Sequence, residues 1–564
     1  MKIKVVIDKK KTKTIDVDPQ ATLAEIAEKF QADRPYRILL ARVNGEDREL
    51  ADNLMKAAAF SGDKIPVIEF LDMRIHSADL TYQRGVSMVY LKAVKDVLGV
   101  DAVIDNSLNK GFYTKPKVGR DITSEDVRKI ENRMRRIVAD DLPIKREFMS
   151  LKEGIAKWHS EGYKEKAIML KESRDAEYRP VFYNLDGYYN YFFGPMVPSA
   201  GYIEYFKLKK YDNKAILVRF PYHGKPDELP EYVNDKLIYK AFSETHDWLK
   251  LLNSQYLNDF NRVNREGGIK DLILLSEALH EKKIAEIADE ITQKGKRIIL
   301  IAGPSSSGKT TFARRLCIQL RVNGLRPLYM GTDDYFVNRS ETPRDEDGNP
   351  DYEGLDALDI KLFNRNMNDL LAGKEVDLPE FDFIEGVKIF GKRITSISEK
   401  QPIVIEGIHA LNDKLTSQIN PRHKYKIYIS PLTQMNIDVH NRVASTDGRM
   451  LRRMVRDYKY RGHTAAATID AWPSVRAGEN KNIFPYTNDA DVLFNSNLCY
   501  ETALLKKYAE PLLQEIPPGA PQYSDARRLL DFLRFYEVIE EDEYVPNNSI
   551  LREFIGGSVF TEEK

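Results

Sequence analysis

Apolar and polar positions alternate along KIKVVI and TKTIDV near the start of the chain, the period-two spacing of a hairpin with one buried face. ATLAEIAEKF switches to helical spacing, with Thr22 placed as its N-cap. RILLARVNG and KIPVIEF supply further strands, so residues 1–70 form a compact β-hairpin, helix and strand unit. Residues 71–225 read as mixed α/β. SMVYLKAVKDVLG is a helix stopped by Gly99, TSEDVRKIENRMRRIVADD a charged helix capped at Thr123 or Ser124, and the aromatic stretch from Val181 strand-like. Residues 226–296 carry apolar positions at helical spacing and form a helical connector.

From Arg297 the pattern changes. RIILIAG, RPLYMG, PIVIEG, KYKIYIS and DADVLFNS are short apolar runs separated by helical segments. That alternation predicts a doubly wound parallel sheet over residues 297–500, followed by a helical extension over 501–564. The whole is an α/β multidomain chain: a β-grasp unit, an α+β unit and an α/β unit.

Composition narrows this further. With 86 basic and 86 acidic residues the formal net charge is zero, which argues against coating nucleic acid by bulk charge. Two cysteines, Cys317 and Cys499, exclude a disulfide scaffold or a Cys-based zinc knuckle. No apolar run reaches the length of a membrane span and the N-terminus lacks a signal-peptide pattern, so a cytoplasmic protein is expected.

The strongest chemical signal is Gly303-Pro304-Ser305-Ser306-Ser307-Gly308-Lys309-Thr310, a full match to G-x-x-x-x-G-K-[ST] between a strand and a helix. The N–H groups of such a loop cradle phosphates at a helix N-terminus. Lys309 neutralises the β/γ oxygens and the Thr310 hydroxyl ligates Mg²⁺. In an open α/β sheet, ligands bind beyond the strand ends. RPLYMG ends in Thr332-Asp333-Asp334-Tyr335, where Asp333 first and Asp334 second are candidates to take an acceptor proton. PIVIEG ends in Glu406, a candidate acid for the metal. Arg449, Arg452, Arg453, Arg456 and Arg461 in GRMLRRMVRDYKYRGH concentrate positive charge suited to a migrating phosphoryl group.

The pieces GPSSSGKTT, TDDYF, DYEGLDALD, GKEVDLPEFDF, VIEGIHAL and RMLRRMVRDYKYRG occur in family order, and the segment resembles a uridine kinase of the uridine kinase/phosphoribulokinase family. The resemblance implies ATP or GTP as donor, Mg²⁺, and a pyrimidine nucleoside as acceptor. It makes Asp333 the general base and places Tyr335, Tyr352, Glu353, Phe381, Asp382 and Arg449 on the substrate. Arg452 and Arg456 join Lys309 in catalysis, and Thr311 and Arg461 join the loop on the nucleotide. Gly386 stands where the family often has a base-contacting His, and Glu353 replaces an Asp, so base recognition is rebuilt.

Residues 1 to about 223 resemble the N-terminal half of threonyl-tRNA synthetase, a TGS domain followed by an editing domain. HSADLTYQRG, DNSLNKGFYTKPKVGRDITSEDVRKIENRMRRIV and YFFGPMVPS carry the likeness. His76 matches the first editing-site His, but Leu80, Phe192 and Met196 fill the other three polar positions. Apolar residues neither ligate metal nor activate water, so ester hydrolysis is not expected. The Lys9–Lys11 and Lys13 cluster and the run Tyr188–Phe193 leave RNA open as a partner, against a solvated turn and a packed core. Three rivals to a nucleoside kinase stand: a kinase of another small alcohol, an RNA-binding regulator with an NTP switch, and a scaffold with a relic site. A homo-oligomer stays open.

Overall fold

The computed structural model describes residues 1–8, 11–59, 65–171, 180–344, 348, 350–433 and 435–560. Lys9 and Lys10 of the basic cluster lie outside them.

The first sheet has five strands in the order β2-β1-β5-β3-β4: β1 (Lys2–Asp8), β2 (Lys11–Asp16), β3 (Ile38–Val43), β4 (Glu46–Arg48) and β5 (Val67–Asp72). β1 and β5 run parallel at its centre. Across it packs α1 (Leu23–Gln31), opened by a capping box in which Thr22 and Glu25 satisfy each other's backbone N–H. A short α2 (Leu54–Ala57) precedes β5.

Two smaller antiparallel sheets follow. β6 (Ala102–Leu108) and β7 (Gly111–Pro116) join β11 (Lys207–Lys210) and β12 (Ile216–Arg219), while β8 (Ile144–Phe148), β9 (Val181–Leu185) and β10 (Tyr188–Asn190) form the other. α3 (His76–Leu98) ends on left-handed Gly99, and α4 (Ser124–Ala139) starts from a Thr123 capping box. α5 (Leu151–Ser160) and α6 (Lys164–Lys171) complete this part.

α7 (Lys236–Leu251), α8 (Leu257–Arg265) and α9 (Ile269–Gln293) occupy the expected connector, yet they are not a spacer. They cover the next sheet. That sheet is parallel throughout, in the order β14-β17-β13-β18-β19: β13 (Ile298–Ala302), β14 (Leu328–Gly331), β17 (Ile403–Glu406), β18 (Lys424–Ser430) and β19 (Val492–Asn495). A separate hairpin, β15 (Val376–Asp382) and β16 (Val387–Thr395), projects between β14 and β17 in the chain. Alternate β13 residues serve two cores. Ile299 and Ile301 pack with α9 and α10 (Lys309–Val322), and Ile298, Leu300 and Ala302 pack with α11 (Ile360–Leu371). A strand buried on both faces has to be apolar at every position, which is why RIILIAG shows no alternation.

The last helices are α12 (Ser445–Arg461), α13 (Ala465–Asn482), α14 (Glu501–Gln514), α15 (Tyr523–Leu533) and α16 (Arg552–Ile555). One continuous core runs from Trp158 and Tyr163 through Phe260 and Ile287 to Phe312 and on to Ile550 and Phe554. The front and rear of the molecule are therefore packed together. Polar contacts pin the same junction. The buried Lys166 ammonium donates to Asn190 Oδ1 at 2.6 Å, contacts His440 Nδ1 at 2.9 Å and faces buried Asp438 at 3.7 Å. Asn441 Nδ2 donates across the junction to the Tyr191 carbonyl at 3.0 Å. Within the rear part, Arg528 of α15 donates to both oxygens of Asp447, in the first turn of α12, at 2.8 and 3.0 Å. A carboxylate in a first turn also favours the helix dipole.

Candidate active site

The phosphate loop joins β13 to α10 and leaves no room for a side chain at two of its positions. A Cβ on Gly303 would lie 2.0 Å from the Ile429 carbonyl oxygen. Gly308 has φ +82°, and a Cβ there would lie 2.4 Å from Ile550 Cγ2. Ser306 takes the left-handed φ of 59°. The buried hydroxyls of Ser306 and Ser307 have no hydrogen-bond partner among the described residues. Such orphaned donors at a helix N-terminus suit an anion. Lys309 Nζ donates to the carbonyls of Gly303 at 3.0 Å and Pro304 at 3.3 Å. Burial lowers the Lys309 pKa, against the charges of Glu406, Glu553 and Asp333.

The two strand-end acids differ in their partners. Glu406 at the end of β17 accepts from the Thr310 hydroxyl at 2.9 Å and from the Tyr329 hydroxyl at 2.5 Å. Burial pushes its carboxyl above the usual range, against Tyr329, Lys309 and Thr310. Asp333 lies in the single helical turn Thr332–Tyr335 after β14. It has no ion-pair partner within 4 Å among the described residues, whereas Asp334 pairs with Arg393 at 2.6 Å. Asp333 is open to the cleft, yet the surrounding protein still withdraws enough water to raise its pKa, with Lys309 acting in the opposite direction. The following glycine of the Glu406 strand, Gly407, lets the two strand ends touch, since a Cβ there would lie 1.9 Å from Thr332 Oγ1.

Against the Thr332–Tyr335 turn, the β15–β16 hairpin carries Phe381 and Phe383, which meet Phe336 in a three-ring cluster with centroids 5.2–6.3 Å apart. Tyr352 is exposed. The Glu353 carboxyl reaches toward α13, raised in pKa by burial and by Glu479, against Arg453.

Comparison with known proteins places this geometry. Residues 298–503 match the sequence model of the Phosphoribulokinase / Uridine kinase family. A uridine kinase of Deinococcus deserti is 28% identical over 208 residues, 37% of this chain and 91% of that protein. A uridine kinase of Macrococcus caseolyticus is 30% identical over 197 residues, 35% of this chain and 86% of its own length. The chain belongs to the phosphoribulokinase/uridine kinase family. It is a phosphotransferase with an alcohol group as acceptor. Among solved structures, a possible uridine kinase from Bacillus stearothermophilus aligns at 19% identity with a TM-score of 0.25, over 38% of this chain and 99% of that one.

Within this family domain, four expected substrate or catalytic residues turn out to be occupied elsewhere. Tyr335 is wholly buried in the core against Phe363, with its hydroxyl accepting from Asn366, so it cannot line a pocket. Asp382 accepts the N–H groups of Ile384 at 2.9 Å and Glu385 at 3.0 Å. It closes the hairpin turn, and those bonds hold its pKa below the ordinary range. Arg452 is fully buried, with its guanidinium on both Glu501 oxygens and on the carbonyls of Ser496 and Ser306. Arg449 pairs with buried Glu479 and donates to the Ser305 carbonyl at 3.1 Å. These two arginines brace the phosphate loop from behind. Arg453 and Arg456 lie nearer the surface. Arg453 donates to the Ser305 hydroxyl at 2.9 Å, and Arg456 pairs with Asp457 and acts electrostatically on Lys309. Arg461 also pairs with Asp457, at 3.3 Å.

Three contributors carry no recognisable pattern in the sequence. Glu479 accepts the Ser305 N–H at 3.1 Å. Glu553, outside the family match, accepts from the Thr311 hydroxyl at 2.9 Å. Arg339 donates to the carbonyls of Phe383 and Ile384 and packs so closely on Gly386 (φ +73°) that a Cβ there would meet its Nε at 2.7 Å. Gly386 is thus a hairpin requirement, and Arg339 occupies the space a side chain would take. In the front half, Phe192 and Met196 are core residues, and burial lowers the pKa of His76 to about 4.

Proposed function

We propose that the protein is a nucleoside kinase that transfers the γ-phosphoryl group of ATP or GTP to the 5′-hydroxyl of a pyrimidine nucleoside, uridine or cytidine. The observation that carries this reading is Asp333. It is a strand-end carboxylate without an ion-pair partner among the described residues, it feels the charge of Lys309, and it follows the strand beside Glu406. The uridine kinase relatives support the acceptor class.

The loop N–H groups and Lys309 hold the donor phosphates, and Asp333 orients the acceptor hydroxyl and takes its proton. Arg453 and Arg456, half-buried on α12, add positive charge beside the loop. Phe336, Phe381 and Phe383 offer apolar faces to a base. A hydroxyl and a carboxylate are the hard oxygen donors that suit Mg²⁺, so Thr310 and Glu406 are the residues to hold it. Bound there, it neutralises charge on the phosphates.

A different small alcohol is the second reading, favoured by the Arg339–Gly386 contact where the family often has a base-contacting His. The front half, TGS-like and editing-like in our reading, serves as a docked platform. Its contacts with Asn436, His440 and Asn441, ahead of α12, and with Ser524 of α15 favour this over RNA capture.

An acceptor screen with labelled ATP tests the reading. A 5′-monophosphate from uridine or cytidine is expected. Hydrolysis stimulated by RNA, with no nucleoside product, would reject it.

A further inference from the structure

A cavity of about 520 Å³ opens at the outer edge of the parallel sheet, where β14 is the edge strand. Its size falls within the roughly 300–1,000 Å³ of small-molecule sites. It shares no residue with the phosphate loop. Arg314 and Arg321 line it from α10, Tyr329 from β14, Asp334 from the turn that follows, and Arg393 from β16.

The charges in this cavity are unbalanced. Arg314 and Arg321 stand seven positions apart, two helical turns on one face. Among the described residues neither pairs with a carboxylate within 4 Å; Arg314 instead stacks its guanidinium 3.8 Å from the Tyr329 ring centroid. Among the described residues Arg393 pairs with Asp334 alone. Two uncompensated guanidiniums in a concave wall attract anions and match the fork geometry of phosphate oxygens.

The walls also touch the chemistry. Tyr329, under Arg314, donates its hydroxyl to Glu406. Asp334, held by Arg393, adjoins Asp333 in the chain and raises its pKa. We propose that this cavity is a second anion site, for a phosphate-bearing organic effector about the size of a nucleoside diphosphate, and that its occupancy lowers turnover. A phosphate that draws Arg314 off the ring loosens Tyr329 from Glu406. One that draws Arg393 away leaves the Asp334 carboxylate uncompensated beside Asp333. Both changes disturb an acid on which phosphoryl transfer depends, without blocking the donor.

The binding test uses the full chain with Lys309→Ala, which weakens the phosphate loop, and needs no acceptor. It therefore stands apart from the nucleoside reading. Calorimetric titration with ADP and with inorganic pyrophosphate should show one site that prefers ADP. Adding Arg314→Gln and Arg321→Gln should weaken it at least tenfold. Both arginines are exposed, and an unchanged circular dichroism spectrum verifies the fold. Binding unaffected by the arginine changes, or pyrophosphate bound as tightly as ADP, would overturn the site. In turnover with the unmodified loop, pyrophosphate should lower kcat at saturating donor, and Arg321→Gln should abolish that effect while keeping basal kcat. Inhibition that saturating donor removes completely, or that persists in Arg321→Gln, would overturn the coupling.

Discussion

Arg452→Ala separates a scaffold role from a phosphate clamp. The Arg452 guanidinium is wholly buried, sits on both oxygens of buried Glu501, and donates to the carbonyls of Ser306 and Ser496. Truncation strands the Glu501 carboxylate, which among the described residues keeps only the Leu498 N–H at 2.9 Å. Removing one partner of a buried ion pair costs about 3–5 kcal/mol, mostly as the desolvation of the charge left behind. For a cooperative unit of roughly 150–250 residues, each kcal/mol moves the unfolding midpoint by about 2–4 °C, so a fall of about 6–20 °C is expected. Scanning calorimetry of the full chain reads it as a shift of the transition that contains the kinase unit. The double variant Arg452→Met, Glu501→Leu removes both charges and should recover part of the loss. An unchanged midpoint together with a collapse of turnover would refute the bracing role and return Arg452 to the phosphates.

Other outcomes follow from the same structure. Glu553→Gln removes a negative charge that acts on Lys309, so donor affinity should rise, as measured by equilibrium binding of ATP; a fall would show that the carboxylate serves the donor. Because burial raises the Asp333 pKa and the residue acts unprotonated, the acid limb of kcat/KM should lie at higher pH than an ordinary aspartate would give, and a limb that survives Asp333→Asn would contradict the assignment. Burial lowers the Lys166 pKa to about 8, against roughly 10.4 unfolded, so between those values the unfolded chain binds more protons and stability rises with pH. Lys166→Met should flatten that rise in unfolding midpoints recorded between pH 8 and 10, and an identical rise in both proteins would be evidence against it.

What could be read from the sequence was local. The phosphate loop, the Thr22 and Thr123 caps and the Gly99 stop each depend on residues within a few positions, and the parallel strands announce themselves by apolar runs at regular intervals. The acids at the strand ends follow from the sheet rule. The arginines of α12 could not be sorted in this way. All carry the same charge on one helix, and their different roles depend on Glu479, Glu501 and Asp457, two of which come from other helices. Glu553 meets Thr311 across 242 positions, a separation that no periodicity encodes. Asp382 shows the reverse case. An acid four positions before a glycine in a hairpin is a turn signal, and here turn chemistry outweighs the substrate role that the family likeness suggested. The connector helices were legible as helices, but their place on the kinase sheet depends on packing partners that a single chain segment does not reveal.

The central claim is that Asp333 takes the proton of the acceptor hydroxyl beside an intact phosphate loop. Transfer from labelled ATP to uridine by Asp333→Asn, measured with ATP binding on the same sample, tests it most directly. A loss of about 10²-fold or more in transfer, with ATP affinity within about twofold of the unaltered chain, is the predicted result. Transfer that persists, or ATP binding that falls as far as transfer, would contradict it.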